Sequence, residues 1–494
     1  MPSLPNVERL EELEDARDCG GGLAAGSMSG VELVAQSTAG IAPSAVMVSG
    51  ATLVAASAGP GTLYSYAVSL GVLLLVGWCV SRAAKLRPGE DLLSHITAAF
   101  GRAVGFVGST GLAFGYLLIA VGCVAQFSQY MKPLIAVAPP ASAGSPGTAI
   151  GVTAILEIVC VVGAAFMMIR GVRISAWTGV VLEVLSIGAI LLVLTMVLIR
   201  HGFSIAPLVP TGITAAQVVG GMVLATLGFV GFESAACLSV EAKDPQRTIP
   251  RAVTGSALLA GALYLYCSYA QIVGFDGADK LSEDATPLNT LADGLGQHWL
   301  ALAIDLGAVA SNFACVTGSL TAASRVLRSM GESQLVHSKI AATHPTRKTP
   351  HVAIVLLSAA ALVTAMGLSA SGINELDIYS YTGTLGTFGY MVAYMLMGLG
   401  IPILLRRLAP EAGIAMAVLI GGTATLCLAY VFYRNVYPIP DWPIDIMPWL
   451  FLGVLLAAAA WYVAGPRRAM RAPTPTKTQP HTPEPVSSHT SLSL

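Results

Sequence analysis

Residues 226–251 read TLGFVGFESAACLSVEAKDPQRTIPR. The stretch starts inside a long apolar run, is interrupted by Gly228 and Gly231, and carries Glu233 before the run ends. A charged turn holding Pro245 and Pro250 closes it. A helix broken near mid-membrane frees backbone N–H and C=O groups that lipid cannot satisfy. Such a break is tolerated only where it lines a cavity or a bound solute. The segment therefore predicts a membrane protein built around a small solute.

Composition agrees. The chain has 494 residues, of which 55% are hydrophobic and 11% charged, against about a quarter charged in ordinary soluble domains. A net charge of −1 with no basic tract argues against a nucleic-acid partner. The cysteines lie mostly in apolar runs, without CxxC spacing, and the histidines show no ligand spacing, so neither a disulfide frame nor a metal site is expected. No GxSxG, HExxH, P-loop or dinucleotide fingerprint is present; no enzyme activity and no cofactor are expected. No filter motif suggests a channel.

Windows of about 20 apolar residues predict twelve spanning helices, near 31–56, 62–81, 104–128, 148–169, 174–199, 215–240, 252–275, 299–323, 351–369, 378–404, 412–432 and 446–464. The acidic segment 1–30 has no apolar signal-peptide core, and 466–494 is rich in Pro, Thr and Ser, as a disordered tail would be. With the N-terminus inside, only Lys132, Arg200, Lys280 and Arg434 of the 26 basic residues fall outside. That bias predicts both termini in the cytoplasm of a cell-membrane protein. The acidic stretch 276–298 is expected as a solvated outer loop.

The first span, VELVAQSTAGIAPSAVMVSG, carries Gly40 and Pro43 well inside it. Proline removes one intrahelical bond and clashes with the preceding turn. The sixth span carries the other interruption, at Gly228–Phe229–Val230–Gly231. Breaks at matching positions of two sets of five helices are the sequence mark of a transporter site. The half-helix starting near Pro43 and Ser44 would offer its N–H groups and positive dipole end to a carboxylate. Carbonyls freed at Phe229 and Val230 could accept from an ammonium, and Phe229 and Phe232 would enclose a side chain. A zwitterion fits such a site. The candidate substrate-binding residues are Gly40, Ile41, Ala42, Pro43, Ser44, Phe229, Val230, Gly231, Phe232 and Glu233.

These pieces resemble a known group. GFVGFESAACLSVEAKDPQRTIPRAV (228–253) resembles the sixth helix and following loop of the amino acid–polyamine–organocation (APC) superfamily. QSTAGIAPSA (36–45), RGVRISAWTGVVLEV (170–184) and ASRVLRSMGE…HPTRKTPHVAI (323–354) resemble other segments of its amino-acid permeases, in family order. The first helix lacks the GxGxG-like run of many members, and GESQLVHSKI (331–340) stands where relatives often show R–D–G. The resemblance implies an all-α LeuT-type fold: inverted repeats over about 31–199 and 215–404, and two extra helices over 412–464. It also implies a secondary transporter importing an amino acid or related amine. The alternatives are an exchanger, a sodium-coupled carrier of a polyamine or other organic amine, and a non-transporting sensor.

Ionisable groups inside a membrane are functional by default. Glu183 lies ten residues past Arg173, about 15 Å deep. By resemblance it stands where some proton-coupled relatives carry a lysine. It could carry the coupling proton, or be held permanently by a hydroxyl or amide. Glu233 could meet a substrate ammonium or cap the half-helix that follows it. Asp305 and Glu157 are expected to pair helices or gate the outer side. Ser311, Thr317 and Ser319 could ligate sodium near Gly40–Ala42, although membrane hydroxyls more often bond their own backbone. Lys243, Arg247 and Arg251 alternate with Glu241 and Asp244, predicting an inner ion-pair network.

Overall fold

In the computed structural model, residues 23–135, 146–209, 212–411, 413–437 and 439–464 are described, with 146–150, 172–180 and 182 as backbone only. The acidic N-terminal segment before residue 23 and the polar tail after residue 464 lie outside the described residues.

The protein is all-α. In chain order the α-helices are α1 (Gly30–Ile41), α2 (Pro43–Ala58), α3 (Thr62–Leu86), α4 (Leu92–Phe100), α5 (Arg102–Leu134), α6 (Pro146–Arg170), α7 (Val172–His201), α8 (Ala215–Leu227), α9 (Ser234–Cys237), α10 (Pro245–Gly274), α11 (Ala278–Ser282), α12 (Pro287–Gly294), α13 (His298–Glu332), α14 (His351–Ala370), α15 (Glu375–Leu408), α16 (Ile414–Arg434) and α17 (Met447–Ala464). Among the described residues, ten helical stretches are long and apolar enough to cross a membrane. The chain is therefore a multi-pass membrane protein.

Three long helices, α5, α13 and α15, form the interior, with α5 packed along both of the others. Small residues let α5 and α15 approach closely: a Cβ on Gly389 would stand 2.2 Å from the Gly111 carbonyl oxygen. In a membrane, where lipid is as apolar as leucine, such close backbone packing is a main source of helix association. The outer helices α14, α16 and α17 turn side chains such as Val363 and Leu426 outward, as lipid-facing surfaces require.

The first span is interrupted. Ala42 separates α1 from α2 in the left-handed conformation, with φ 48° and ψ 65°. Residues 276–298 depart from the expected solvated loop. They form the short helices α11 and α12, whose Leu281, Leu288 and Ala292 are buried, and Thr52 of α2 donates to the Leu281 carbonyl at 3.2 Å. The acidic residues that dominate the composition there line the outer face of an amphipathic cover. The apolar positions between them hold it down.

Candidate functional site at the helix breaks

The break at Ala42 follows from its neighbours. Pro43 has no N–H, so the Ala39 carbonyl has no helical partner. The turn at Ala42 then carries the next two N–H groups away from Gly40 and Ile41. Both are taken by side chains from distant helices. Ser44 N–H donates to Glu183 Oε1 of α7 at 2.6 Å, and Ala45 N–H donates to Ser311 Oγ of α13 at 3.0 Å. The helix resumes with Val46 N–H on the Ala42 carbonyl. The Gly40 carbonyl accepts a long bond from Cys315 Sγ, at 3.5 Å. Glu183 is 3% exposed, and its Oε2 and the Ser44 hydroxyl are both buried without a hydrogen-bond partner.

Beyond α8 the chain turns tightly from Gly228 to Glu233. Phe229, Val230, Phe232 and Ser234 each donate their N–H three residues back. Gly231 takes φ +101°, which L side chains rarely adopt. Its Cα lies against the first break: a Cβ there would stand 2.5 Å from the Gly40 carbonyl carbon, and one on Gly318 would stand 3.0 Å from Gly40 N. Three backbones from α1, the 228–233 turn and α13 thus meet at glycines. Side chains lock the junction: Ser37 donates to the Phe232 carbonyl, Ser234 to the Gln36 carbonyl, and Gln36 to the Gly318 carbonyl.

The structure therefore brings Gly40, Ile41, Ala42, Pro43 and Ser44 together with the turn 228–233. Of the two carbonyls the sequence offered, that of Phe229 is taken by the Phe232 N–H, and Tyr264 donates to the Gly228 carbonyl beside it at 2.7 Å. Phe229 packs edge-on against Tyr264, and Phe232 against Tyr394. The Glu233 side chain does not cap α9. Instead Tyr116 and Tyr394 each donate a hydroxyl at 2.6 Å, one to each carboxylate oxygen. A sealed carboxylate held from α5 and α15 fixes the turn between them.

The remaining candidates sit elsewhere. Asp305 accepts from Asn289 of α12 at 2.7 Å, tying α12 to α13, and Glu157 accepts from Ser369 of α14 at 2.6 Å. Thr317 bonds back to Phe313 on its own helix, and Ser319 lies 3.8 Å from Cys315 Sγ. Of the three hydroxyls considered for sodium, Ser311 alone bonds the first break. Beyond α9, Glu241 does not pair with Lys243, Arg247 or Arg251. Its carboxylate receives a two-pronged contact from Arg325 of α13, at 3.2 Å to each oxygen, and both residues are 3% exposed. Asp244 and Arg247 form an exposed pair at 3.9 Å. Residues 26–28 run beside 240–243, with Met28 N–H on the Glu241 carbonyl and Lys243 N–H on that of Met28. Sequence reading missed Tyr116, Tyr264, Tyr394, Gln36 and Gly318. The tyrosines left one signal, since a phenol inside an apolar run needs a polar partner.

A broken first helix packed glycine to glycine against the turn 228–233 thus lies within the bundle, and the chain's relatives can be set beside it. The profile of the family described as Amino acid permease matches residues 33–459. The chain belongs to this family, within the APC superfamily. The family is one of transporters, not enzymes. This permease is 24% identical to the branched-chain amino acid permease BcaP of Lactococcus lactis subsp. cremoris, over 83% of its own length and 88% of that protein's. It is also 24% identical to cationic amino acid transporter 7, chloroplastic, of Arabidopsis thaliana, over 81% of this chain and 75% of that one. Among solved structures, a manganese transporter from Eremococcus coleocola superposes with a TM-score of 0.56 at 12% identity, covering 88% of this permease and 95% of that chain. That likeness concerns the fold.

Proposed function

We propose that this permease is a secondary active transporter that imports an amino acid or related amine across the cell membrane, coupled to a proton carried by Glu183. The observation that carries the reading is the 2.6 Å bond from Ser44 N–H to Glu183 Oε1: an anion seat at a half-helix start, deep in the bundle, with an ionisable group in it. Apolar side chains around the breaks, among them Phe229, Phe232 and Met47, favour an apolar substrate side chain. The relatives named for branched-chain amino acids support the same preference.

In this reading the stretch Gly30–Leu86 crosses twice, and α8 with the 228–233 turn and α9 forms one interrupted crossing. That makes twelve, with repeats over 31–199 and 215–404 and two further helices over 412–464. Both termini face the cytoplasm, with 1–30 and 466–494 as cytoplasmic segments. Gly40, Ile41, Ala42, Pro43 and Ser44 then serve the substrate carboxylate, and residues 229–233 its opposite side, by alternating access. Exchange is the second reading, favoured by the 30% identity over 165 residues to the serine/threonine exchanger SteT of Bacillus subtilis.

The test is uptake of labelled leucine, valine, lysine and threonine into proteoliposomes, with an imposed pH gradient and sodium or potassium outside. Uptake that follows the pH gradient and ignores sodium supports proton-coupled import. Uptake that needs internal substrate and no gradient makes the protein an exchanger. Uptake of none of them refutes the reading.

A further inference from the structure

The N-terminus of α2 is occupied by the protein itself. In a half-helix waiting for a substrate carboxylate, the N–H groups of Ser44 and Ala45 would be free. Here the first is held by a carboxylate and the second by a hydroxyl. Glu183 brings to that position the same chemical group that an amino acid would bring: two oxygens on one carbon, carrying one negative charge. One oxygen is seated and the other is not, and the Ser44 hydroxyl beside them is also buried and unsatisfied. A buried polar group without a partner costs roughly 1–3 kcal/mol, so both atoms stand to gain from a further partner. A carboxylate arriving at the seat would supply one to the Ser44 hydroxyl.

We infer that the Glu183 carboxylate is a resident competitor for the substrate's carboxylate, and that protonation of Glu183 is what releases the seat. The inference rests on the transport reading above. The exchange balances simply. On the outer side, Glu183 takes a proton from water and becomes a neutral acid. Ser44 N–H, Ala45 N–H and the Ser44 hydroxyl then bond the incoming carboxylate. On the inner side the substrate departs, Glu183 returns its proton to water, and its carboxylate retakes the Ser44 N–H. One proton moves with each substrate because the seat holds one anion at a time.

The surroundings leave this exchange to the half-helix. α7 packs against α1, α2, α6, α10, α12 and α13. α2 carries no ionisable side chain; α1 brings Glu32, α6 Glu157, α10 Tyr264 and Cys267, α12 Asp293, and α13 Asp305 and Cys315. The basic residues of these elements and of α7 itself, Arg170, Arg173, Arg200, His201, Arg247, Arg251, His298, Arg325 and Arg328, stand toward helix ends, away from the break. Among the described residues, then, the Glu183 charge is met by the Ser44 N–H, the neighbouring Ser311 hydroxyl and the dipole of α2, not by a cation. Two anions in one such seat repel, and a neutral acid beside one anion does not.

The test measures binding of tritiated L-leucine to the purified full chain in lipid nanodiscs, from about pH 8 to about pH 6, for the wild type, Glu183→Gln and Ser311→Ala. Where one proton is taken up per substrate bound, affinity changes about tenfold per pH unit. The wild type should bind more tightly as pH falls. Glu183→Gln keeps an acceptor for Ser44 N–H but no charge, so at about pH 8 it should bind about tenfold more tightly than the wild type and show no pH slope. Ser311→Ala removes the acceptor for Ala45 N–H and leaves the charge, so its slope should persist. L-leucinamide, which has the ammonium but no carboxylate, should fail to compete in either protein. A flat wild-type profile, or a slope that survives in Glu183→Gln, overturns the inference and leaves the transport reading standing. If the wild type binds no amino acid of the uptake panel, both fall together.

Discussion

Gly231→Ala tests the junction on which the site depends. Two costs add. Alanine at φ +101° leaves the allowed regions for L residues, a strain of roughly 1–3 kcal/mol. Its Cβ would also stand 2.5 and 2.6 Å from the Gly40 carbonyl carbon and oxygen. These are backbone atoms and cannot rotate aside, so relief requires moving α1 or the turn, and overpacking of this kind costs about 1–3 kcal/mol. The sum, about 2–6 kcal/mol, is a large share of the 5–15 kcal/mol that a typical folded protein has in hand. Gly40→Ala should be milder, since its Cβ meets the Ser234 hydroxyl at 3.0 Å and the Gly231 carbonyl at 3.1 Å. Gly188→Ala, facing open space within α7, is the reference. Thermal unfolding of the detergent-solubilised variants, followed by size-exclusion chromatography, should rank them Gly231→Ala least stable, then Gly40→Ala, then Gly188→Ala near wild type. If Gly231→Ala melts with Gly188→Ala, the two backbones are not in contact as described, and the assignment of one site to both breaks fails with it.

Tyr116→Phe or Tyr394→Phe strips one hydroxyl from the sealed Glu233 carboxylate, and each should cost about 1–3 kcal/mol in thermal unfolding. Because both serve one carboxyl group, the double variant should depart from additivity. Arg325→Ala or Glu241→Ala leaves its partner buried and unpaired, at about 3–5 kcal/mol, and the double variant should recover part of the loss. His95 of α4, outside the spanning segments and 3% exposed, makes stability depend on pH. Burial pushes its imidazole down to about 4, against about 6.5 in an unfolded chain. The unfolded chain therefore binds more protons between those values. The contribution is fully present above about pH 6.5 and is lost as pH falls toward 4, reaching about 3 kcal/mol. Unfolding temperatures across that window should fall less steeply in His95→Gln.

What the sequence made legible was whatever depends on a residue's own chemistry. Pro43 lacks an N–H wherever it sits, so a break near Ala42 could be read directly, and so could the value of glycine at 231. Partnerships were not legible, because the pairing groups lie far apart along the chain. Local reading offered Glu241 the basic residues just after it, yet its partner is Arg325, on a helix that reaches it only once the bundle is packed. For Glu233 local reading offered the helix end that follows it, whereas two tyrosines from α5 and α15 hold its carboxylate. The same logic governs the first break. Elementary electrostatics says that an anion belongs at the start of α2, and sequence marked Glu183 as a carboxylate of suitable depth. That the two are one feature needed the fold, since 139 positions separate Ser44 from Glu183. Once they are joined, the coupling problem takes a definite form. A transporter must keep its anion seat from standing empty in a low-dielectric interior, and must still offer it to cargo. A carboxylate that fills the seat when ionised and vacates it when protonated meets both demands with one side chain. With either carboxylate in the seat the Ser44 N–H has a partner, and the seat opens to cargo only when a proton is aboard.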